Sequence, residues 1–181
     1  MTLSDLREKI WTLIARGRLS ARNRDKAMRT IQCELLAGDV RDDVEHFEPY
    51  GFTSEPHLGA EPLTLSLDGE RRHTIAVCVA DRRYRMTGLK DGEVAIFDDQ
   101  GQHVHLTRSG IKVVTSKTLT MKAAGGTTLE TPTFTVNASK GITLNTPLVK
   151  ASDDLTASGV SLPKHVHGGV QSGSSNTGGP H

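Results

Sequence analysis

The chain has 181 residues, enough for one globular domain or two small ones. Its hydrophobic fraction of 35% and aromatic fraction of 4% are low for a single well-filled core. The net charge of +1 excludes a chain-wide attraction to nucleic acid or to a membrane surface.

The first element is a helix. Leu3, Leu6, Ile10, Leu13 and Ile14 fall on one helical face, with Asp5 and Glu8 near its start and Arg16 and Arg18 near its end. Acid first and base last suits the helix dipole, and Gly17 is placed to end the last turn. An N-terminal helical segment is therefore expected over residues 1–21. It serves either to pack on the following domain or to dock on a neighbouring protein.

Residues 22–95 predict a small β domain. Ile31–Leu35, Val40–Val44 and Leu63–Leu67 alternate apolar and polar, and the denser run His73–Val79 reads as a central strand. Glycines and prolines separate these runs, and Asp68-Gly69 has the composition of a tight hairpin turn. About five short strands in this length suit a barrel of the OB type. Such barrels often bind nucleic acid, but residues 31–100 carry a net −8 and show no stripe of aromatic and basic residues. The barrel is expected to be a structural platform. Cys33 and Cys78, the only cysteines, are expected to be reduced core thiols of a protein made in a reducing cytosol. No uninterrupted apolar run opens the chain, and none approaches the ~20 residues of a membrane span, so neither a signal peptide nor a spanning helix is expected.

Residues 96–164 have a different texture. After Gln102 the only aromatic is Phe134. Short alternating segments recur, among them Val104–Leu106, Ile111–Val113, Leu119–Met121, Phe134–Val136, Ile142–Leu144 and Val160–Leu162, with glycines between them. Each segment supplies one narrow apolar stripe. The spacing suits the rungs of a β-helix, yet one chain has too few apolar residues per rung to enclose its own core. Three chains wound about an axis solve this, because each contributes one face of a triangular prism. Intertwining also covers strand edges that a lone solenoid leaves open.

Two His-x-His motifs can carry metal chemistry, because residues i and i+2 of a strand point the same way. His103-Val104-His105 lies where Val104 and Leu106 are the expected inward residues, so its imidazoles are expected on the solvent face. No carboxylate follows it within a few residues, as a cupin-type enzyme would need. His165-Val166-His167 follows the last apolar rung and precedes a Gly/Ser-rich end, and from His165 to His181 there is no Asp, Glu, Lys or Arg. Around a threefold axis, three copies of His165 and His167 supply six nitrogen donors. Zinc prefers four ligands, and a six-coordinate first-row ion such as iron fits better. A site saturated in this way is structural. The Gly-rich end suits close approach of backbones at an axis. His181, Asp153-Asp154, Lys150 and Lys164 are expected to be solvated.

The order of these parts, with Leu162-Pro163-Lys164-His165-Val166-His167 and the Gly/Ser end as the most specific stretch and Gly92–Phe97 as a second, resembles the central baseplate spikes of contractile-tailed bacteriophages, the Mu-type spike family. The resemblance covers essentially the whole chain. It implies a homotrimer with an OB-fold collar, an intertwined β-helix and a tip (residues 165–181) holding one iron per trimer through His165 and His167 of each chain. Calcium and chloride are further ions of the family, with no residue assigned to them here. The resemblance also implies a virion protein without enzymatic activity, made in the host cytoplasm. It would be mounted on tail-tube and baseplate-hub proteins and be driven through the host outer membrane on sheath contraction. Two other readings of the residues stay open, a trimeric receptor-binding fibre that recognises surface sugar and a metal-dependent hydrolase.

Overall fold

A computed structural model describes residues 2–23, 27–36, 38–67, 73–169 and 173. The chain is mainly β and falls into two compact units, residues 1–122 and 123–181.

The helix α1 spans Leu3–Thr12 and is shorter than expected. Leu13 N–H still bonds back to Ile10 O at 3.3 Å, but β1 (Ile14–Arg16) and β2 (Arg18–Asn23) follow at once. Residues 14–16 lie antiparallel to residues 63–65. A ladder partner outweighs the helical periodicity of Leu13 and Ile14, as tertiary pairing commonly does with local preference.

Four further strands complete the first sheet: β3 (Thr30–Leu36), β4 (Asp39–His46), β5 (Glu61–Ser66) and β6 (Thr74–Ala80). Their order is β1-β5-β6-β4-β3-β2, with β4 and β6 parallel and the other pairs antiparallel. The expected central strand is β6, between β5 and β4. Asp68-Gly69 lies outside the described residues. The sheet's two outer strands, β1 and β2, are consecutive in the chain, separated only by Gly17. Gly17 N–H donates to Pro62 O at 3.0 Å, Leu19 N–H to Ala60 O at 2.8 Å, and Gly59 N–H to Leu19 O at 2.8 Å. One stretch therefore borders both β5 and β3, and the sheet curls around to meet it. Register shifts in three of the pairings supply the extra local bend.

Gly17 sits where this curl is tightest. A Cβ there would lie 2.6 Å from Glu34 O and 2.8 Å from Leu35 Cδ2. Inside the curl, Leu19, Ile31, Cys33, Val44, Ala60 and Ala76 form a small core against which Leu35 and Val79 pack. Burial pushes the Cys33 thiol up to about 12, which keeps it protonated. Cys78, by contrast, is exposed rather than in the core. Buried hydroxyls have partners: Thr64 Oγ1 donates to Ala15 O at 3.1 Å, and Ser66 Oγ lies 3.2 Å from Thr74 Oγ1. His46 is buried, and its Nδ1 has no hydrogen-bond partner among the described residues. The long connection from β4 to β5 is tied down by Arg22 and Arg29. Arg22 pairs with Glu55 at 3.2 Å and donates to Pro56 O at 2.6 Å, and Arg29 pairs with Glu48 and Glu55.

A second sheet of three antiparallel strands follows, β7 (Val94–Phe97), β8 (His103–Thr107) and β9 (Gly110–Val114). At the β7–β8 turn the Asp98 carboxylate accepts from Gln100 N–H, Gln102 N–H and Gln102 Nε2. His57 Nε2 lies 3.1 Å from Asp99 and links this turn to the loop before β5.

In the second unit, residues 123–155 form no helix and no strand pairing among the described residues. Ladders return with the hairpin of β10 (Thr156–Ala157) and β11 (Val160–Ser161). Its turn residues Ser158 and Gly159 have φ of 51° and 81°, as a tight hairpin turn requires. No helix of the described residues is long and apolar enough to cross a membrane.

Two outcomes follow from the first sheet. Gly17→Ala is expected to destabilise it by about 1–3 kcal/mol, the scale of forced overpacking, as read from urea denaturation. The second concerns His46, whose pKa is held below the usual value, first by burial and then by Arg29, against the opposing pull of Glu48 and Glu55. The unfolded chain therefore takes up this proton first, so stability is full above the ordinary histidine pKa near 6.5 and falls as the pH drops below it. Thermal midpoints at pH 7.5 and 5.5 measure this loss, and His46→Gln should flatten the profile in that window.

Candidate functional site

The tip histidines follow the β10–β11 hairpin. Leu162 N–H donates to Leu155 O at 2.8 Å, extending the hairpin by one bond. The chain then turns through residues 162–164, held by Lys164 N–H to Ser161 Oγ at 3.2 Å and His165 N–H to Ser161 O at 3.1 Å. His165 Nδ1 lies 2.8 Å from Leu162 O. A carbonyl can only accept, so Nδ1 carries a proton, and in the neutral ring Nε2 is the nitrogen left to bind a metal. A backbone carbonyl that fixes the tautomer in this way is a usual companion of a metal-binding imidazole. The ring of His167 stands 5.1 Å from that of His165 at an interplanar angle of 81°. Both side chains are exposed. The chain brings together two ring nitrogens and no more: among the described residues, no three His, Cys, Asp or Glu side chains converge on a point that could hold a metal. Two imidazoles are fewer donors than a metal centre needs, so His165 and His167 fit one only with further ligands from beyond the described residues of one chain. Residues 170–172 and 174–181, with the Gly/Ser end and His181, lie outside the described residues.

His103 and His105 lie on one face of β8 and Val104 and Leu106 on the other, as their alternation predicts. The expectation that both histidines are solvated does not hold for His105. Its side chain is 14% exposed, and its Nε2 lies 3.2 Å from Glu93 Oε2. Glu93 is itself 7% exposed and accepts from Lys90 N–H at 2.9 Å and Arg108 N–H at 3.1 Å. These two backbone bonds and His105 hold its carboxyl below the usual carboxylate range. The partner carboxylate lies twelve residues before His105, beyond the reach of local spacing around the motif. The signal was the register: Val94 faces Leu106, which places Glu93 beside the β8–β9 turn.

The second feature is apolar. Cross-strand pairing places Val94, Ile96, Val104, Leu106, Ile111 and Val113 on one face of the β7–β9 sheet. All but Val104 are exposed, Ile111 by 72%. The opposite face carries Ala95, Phe97, His103, His105, Lys112 and Val114; Ala95 and Phe97 border a cleft of about 800 Å³ shared with Val79, Tyr84, Met86 and Leu89. In residues 123–155 the apolar side chains are exposed as well, including Leu129, Phe134, Val136, Leu144 and Val149.

A repeat in this stretch escaped the reading of short segments. Gly126-Thr-Thr-Leu-Glu-Thr-Pro recurs fifteen residues later as Gly141-Ile-Thr-Leu-Asn-Thr-Pro. Both glycines have positive φ, 114° and 125°. Both threonines before proline make the same turn: Thr131 Oγ1 donates to Thr133 O at 2.9 Å, and Thr146 Oγ1 to Leu148 O at 3.0 Å. In this alignment Leu129 matches Leu144, Phe134 matches Val149 and Val136 matches Ala151.

Comparison with known proteins matches the two units separately. Residues 16–83 match the family model "Bacteriophage Mu Gp45, N-terminal", and residues 131–179 match "Phage spike trimer". The baseplate puncturing device gp45 of Escherichia phage Mu is 33% identical over 179 residues, covering 94% of this chain and 91% of the relative. The chain belongs to the Mu gp45 family of phage spike proteins. The Mu-like prophage FluMu protein gp45 of Haemophilus influenzae is 31% identical over 171 residues, with 91% of each chain covered. The Mu Gp45 model falls on the curled sheet, from Arg16 at the end of β1 to just beyond β6. The spike-trimer model includes the Thr-Pro turns, the β10–β11 hairpin and both tip histidines.

Glu93→Ala removes the acceptor shared by Lys90, Arg108 and His105 and leaves three donors without it. The thermal midpoint is expected to fall, with far-UV circular dichroism retained at low temperature. Because the Glu93 pKa is depressed, its contribution is full above the ordinary glutamate value of 4.5 and is lost as the pH falls below it. The difference between variant and wild type should therefore shrink on acidification.

Proposed function

We propose that this chain is the structural spike of a contractile phage-tail baseplate, assembled as a homotrimer and driven through the host outer membrane when the sheath contracts. The observation that carries the reading is a coincidence of positions. The stretch that matches a spike trimer overlaps the stretch whose apolar side chains are exposed and whose backbone forms no ladder among the described residues. The name of the phage Mu relative, a baseplate puncturing device, supplies the role.

In this reading the curled sheet of residues 14–80 is an OB-type collar. Its strand order, with one stretch bordering two strands and a single parallel pair, supports that assignment. Residues 96–164 wind with two other copies into a triangular β-helix whose stripes meet on the axis. The repeat aligns Phe134 with Val149, which supports reading it as part of the stripe rather than as a ring for sugar stacking. His165 and His167 of three chains offer six imidazole nitrogens to one iron ion. The ion would cross-link three chain ends where the least apolar area is available to hold them. The family's calcium and chloride ions remain without assigned residues.

The role is mechanical, and no catalytic group is invoked. The work comes from the sheath; the chain supplies stiffness and a point without Asp, Glu, Lys or Arg from residue 165 onward. Charged side chains are costly in a bilayer core, so such a point meets a lower barrier. The seat of the chain is the virion's baseplate, against tube and hub proteins, after synthesis in the host cytoplasm.

Native mass spectrometry with metal analysis tests both parts. The expected result is three chains with one iron ion. In His165→Ala/His167→Ala, the ion should be lost while the trimer persists. A monomer would sink the spike reading, one exchangeable metal per chain would point to an enzyme, and a metal-free trimer would support a fibre instead.

A further inference from the structure

The β7–β9 sheet and the stretch that follows it differ in what one chain can do alone. In the sheet, every strand is paired within the chain, from Val94↔Leu106 to Thr107↔Gly110. Carboxylates brace its ends: Glu93 gathers Lys90, His105 and Arg108, while Asp98 gathers Gln100 and Gln102. Thr115 Oγ1 donates to Gln102 Oε1 at 2.8 Å and holds the outgoing chain against the same turn. The aliphatic face described above is thus presented already formed. Residues 118–155 have no such support; their apolar residues are exposed, and they form no ladder among the described residues.

Two consequences separate the regions. A preformed surface loses little backbone entropy on association, whereas an unpaired segment must be ordered as it binds, at roughly 1–2 kcal/mol per residue. The unpaired segment also repeats. A slip of fifteen residues lays Leu129 on the level of Leu144 and Phe134 on that of Val149, so apolar still meets apolar there; Ile142 falls on Thr127 and Leu148 on Thr133, and the stripe discriminates between registers only at such positions. The β7–β9 sheet has no second copy of itself in the chain and permits no equivalent slip.

We infer that the aliphatic face of the β7–β9 sheet is where three copies of this chain first associate, and that it sets the register in which residues 118–155 then order, progressing toward the C-terminal hairpin. The inference rests on the trimeric reading. Its partner is the same face of two further copies: the face is wholly aliphatic and uncharged, and the chain carries a spike-trimer match farther along.

The test compares Ile111→Glu with Leu144→Glu in the full-length protein, with chain count read by native mass spectrometry and backbone protection by hydrogen exchange. Ile111 is 72% exposed and Leu144 63% exposed in the single chain, so neither charge disturbs a contact that chain makes alone. Ile111→Glu is expected to remain monomeric where wild type is trimeric. Leu144→Glu is expected to trimerise, with protection retained over residues 94–114 and lost around residue 144. A trimeric Ile111→Glu, or a monomeric Leu144→Glu, would overturn the inference while a trimeric wild type left the spike reading standing. A monomeric wild type would remove both. Pulse-labelled exchange during wild-type refolding gives an answer without any variant. Protection over 94–114 should precede protection over 127–155, and simultaneous or reversed protection would overturn the order.

Discussion

Between residues 118 and 155 the backbone pairs with no strand among the described residues, and the apolar side chains of that stretch are exposed. Buried amides and carbonyls need partners, and exposed aliphatic stripes need cover. An extended chain provides neither for itself. This constraint shapes the rest of the molecule. It goes with a scarcity of aromatics, Phe134 being the one ring after Gln102, and with the recurrence of Thr and Ser between aliphatic positions. It also separates the chain into a part that folds around its own core and a part that, among the described residues, encloses none.

The first part solves its own problem by curvature. Six strands enclose only a handful of fully buried aliphatic side chains, so the curl has to be tight, and Gly17 permits the close approach of β1–β2 to Glu34 and Leu35. The price is a core with little apolar bulk. Polar groups share the interior, and most of them are paired; His46 is the exception, sealed in with one ring nitrogen unpartnered. Arginine–carboxylate contacts among Arg22, Arg29, Glu48 and Glu55 hold the long β4–β5 connection where a larger core would have used side-chain packing.

Much of this was legible in the sequence. Alternation located β3, β4, β5 and β6 to within a few residues, because each strand has one face on the core. It located β7, β8 and β9 for a different reason, since their apolar face is uniform. The end of α1 was misread because Leu13 and Ile14 fit a helical face and a strand equally well, and only the presence of β5 decides between them. The pairing of His105 with Glu93 was invisible to local spacing, since it depends on which residues the register sets side by side. The tip motif was visible as His-x-His, whereas the bond from His165 Nδ1 to Leu162 O, which fixes the ring's tautomer, depends on the turn at residues 162–164. The fifteen-residue repeat was present in the letters all along. It was obscured because only its glycine, its Thr-Leu pair and its Thr-Pro step are shared between the two copies.

That repeat has a consequence for how such proteins vary. Each unit opens on a glycine of positive φ and carries a Thr-Pro turn of its own. A gene that gained or lost one unit would join like to like at both seams, leaving the residues before Gly126 and after the last unit in unchanged surroundings. A change by one whole unit therefore keeps the glycine and the Thr-Pro turn in phase, whereas a change of any other length breaks that phase.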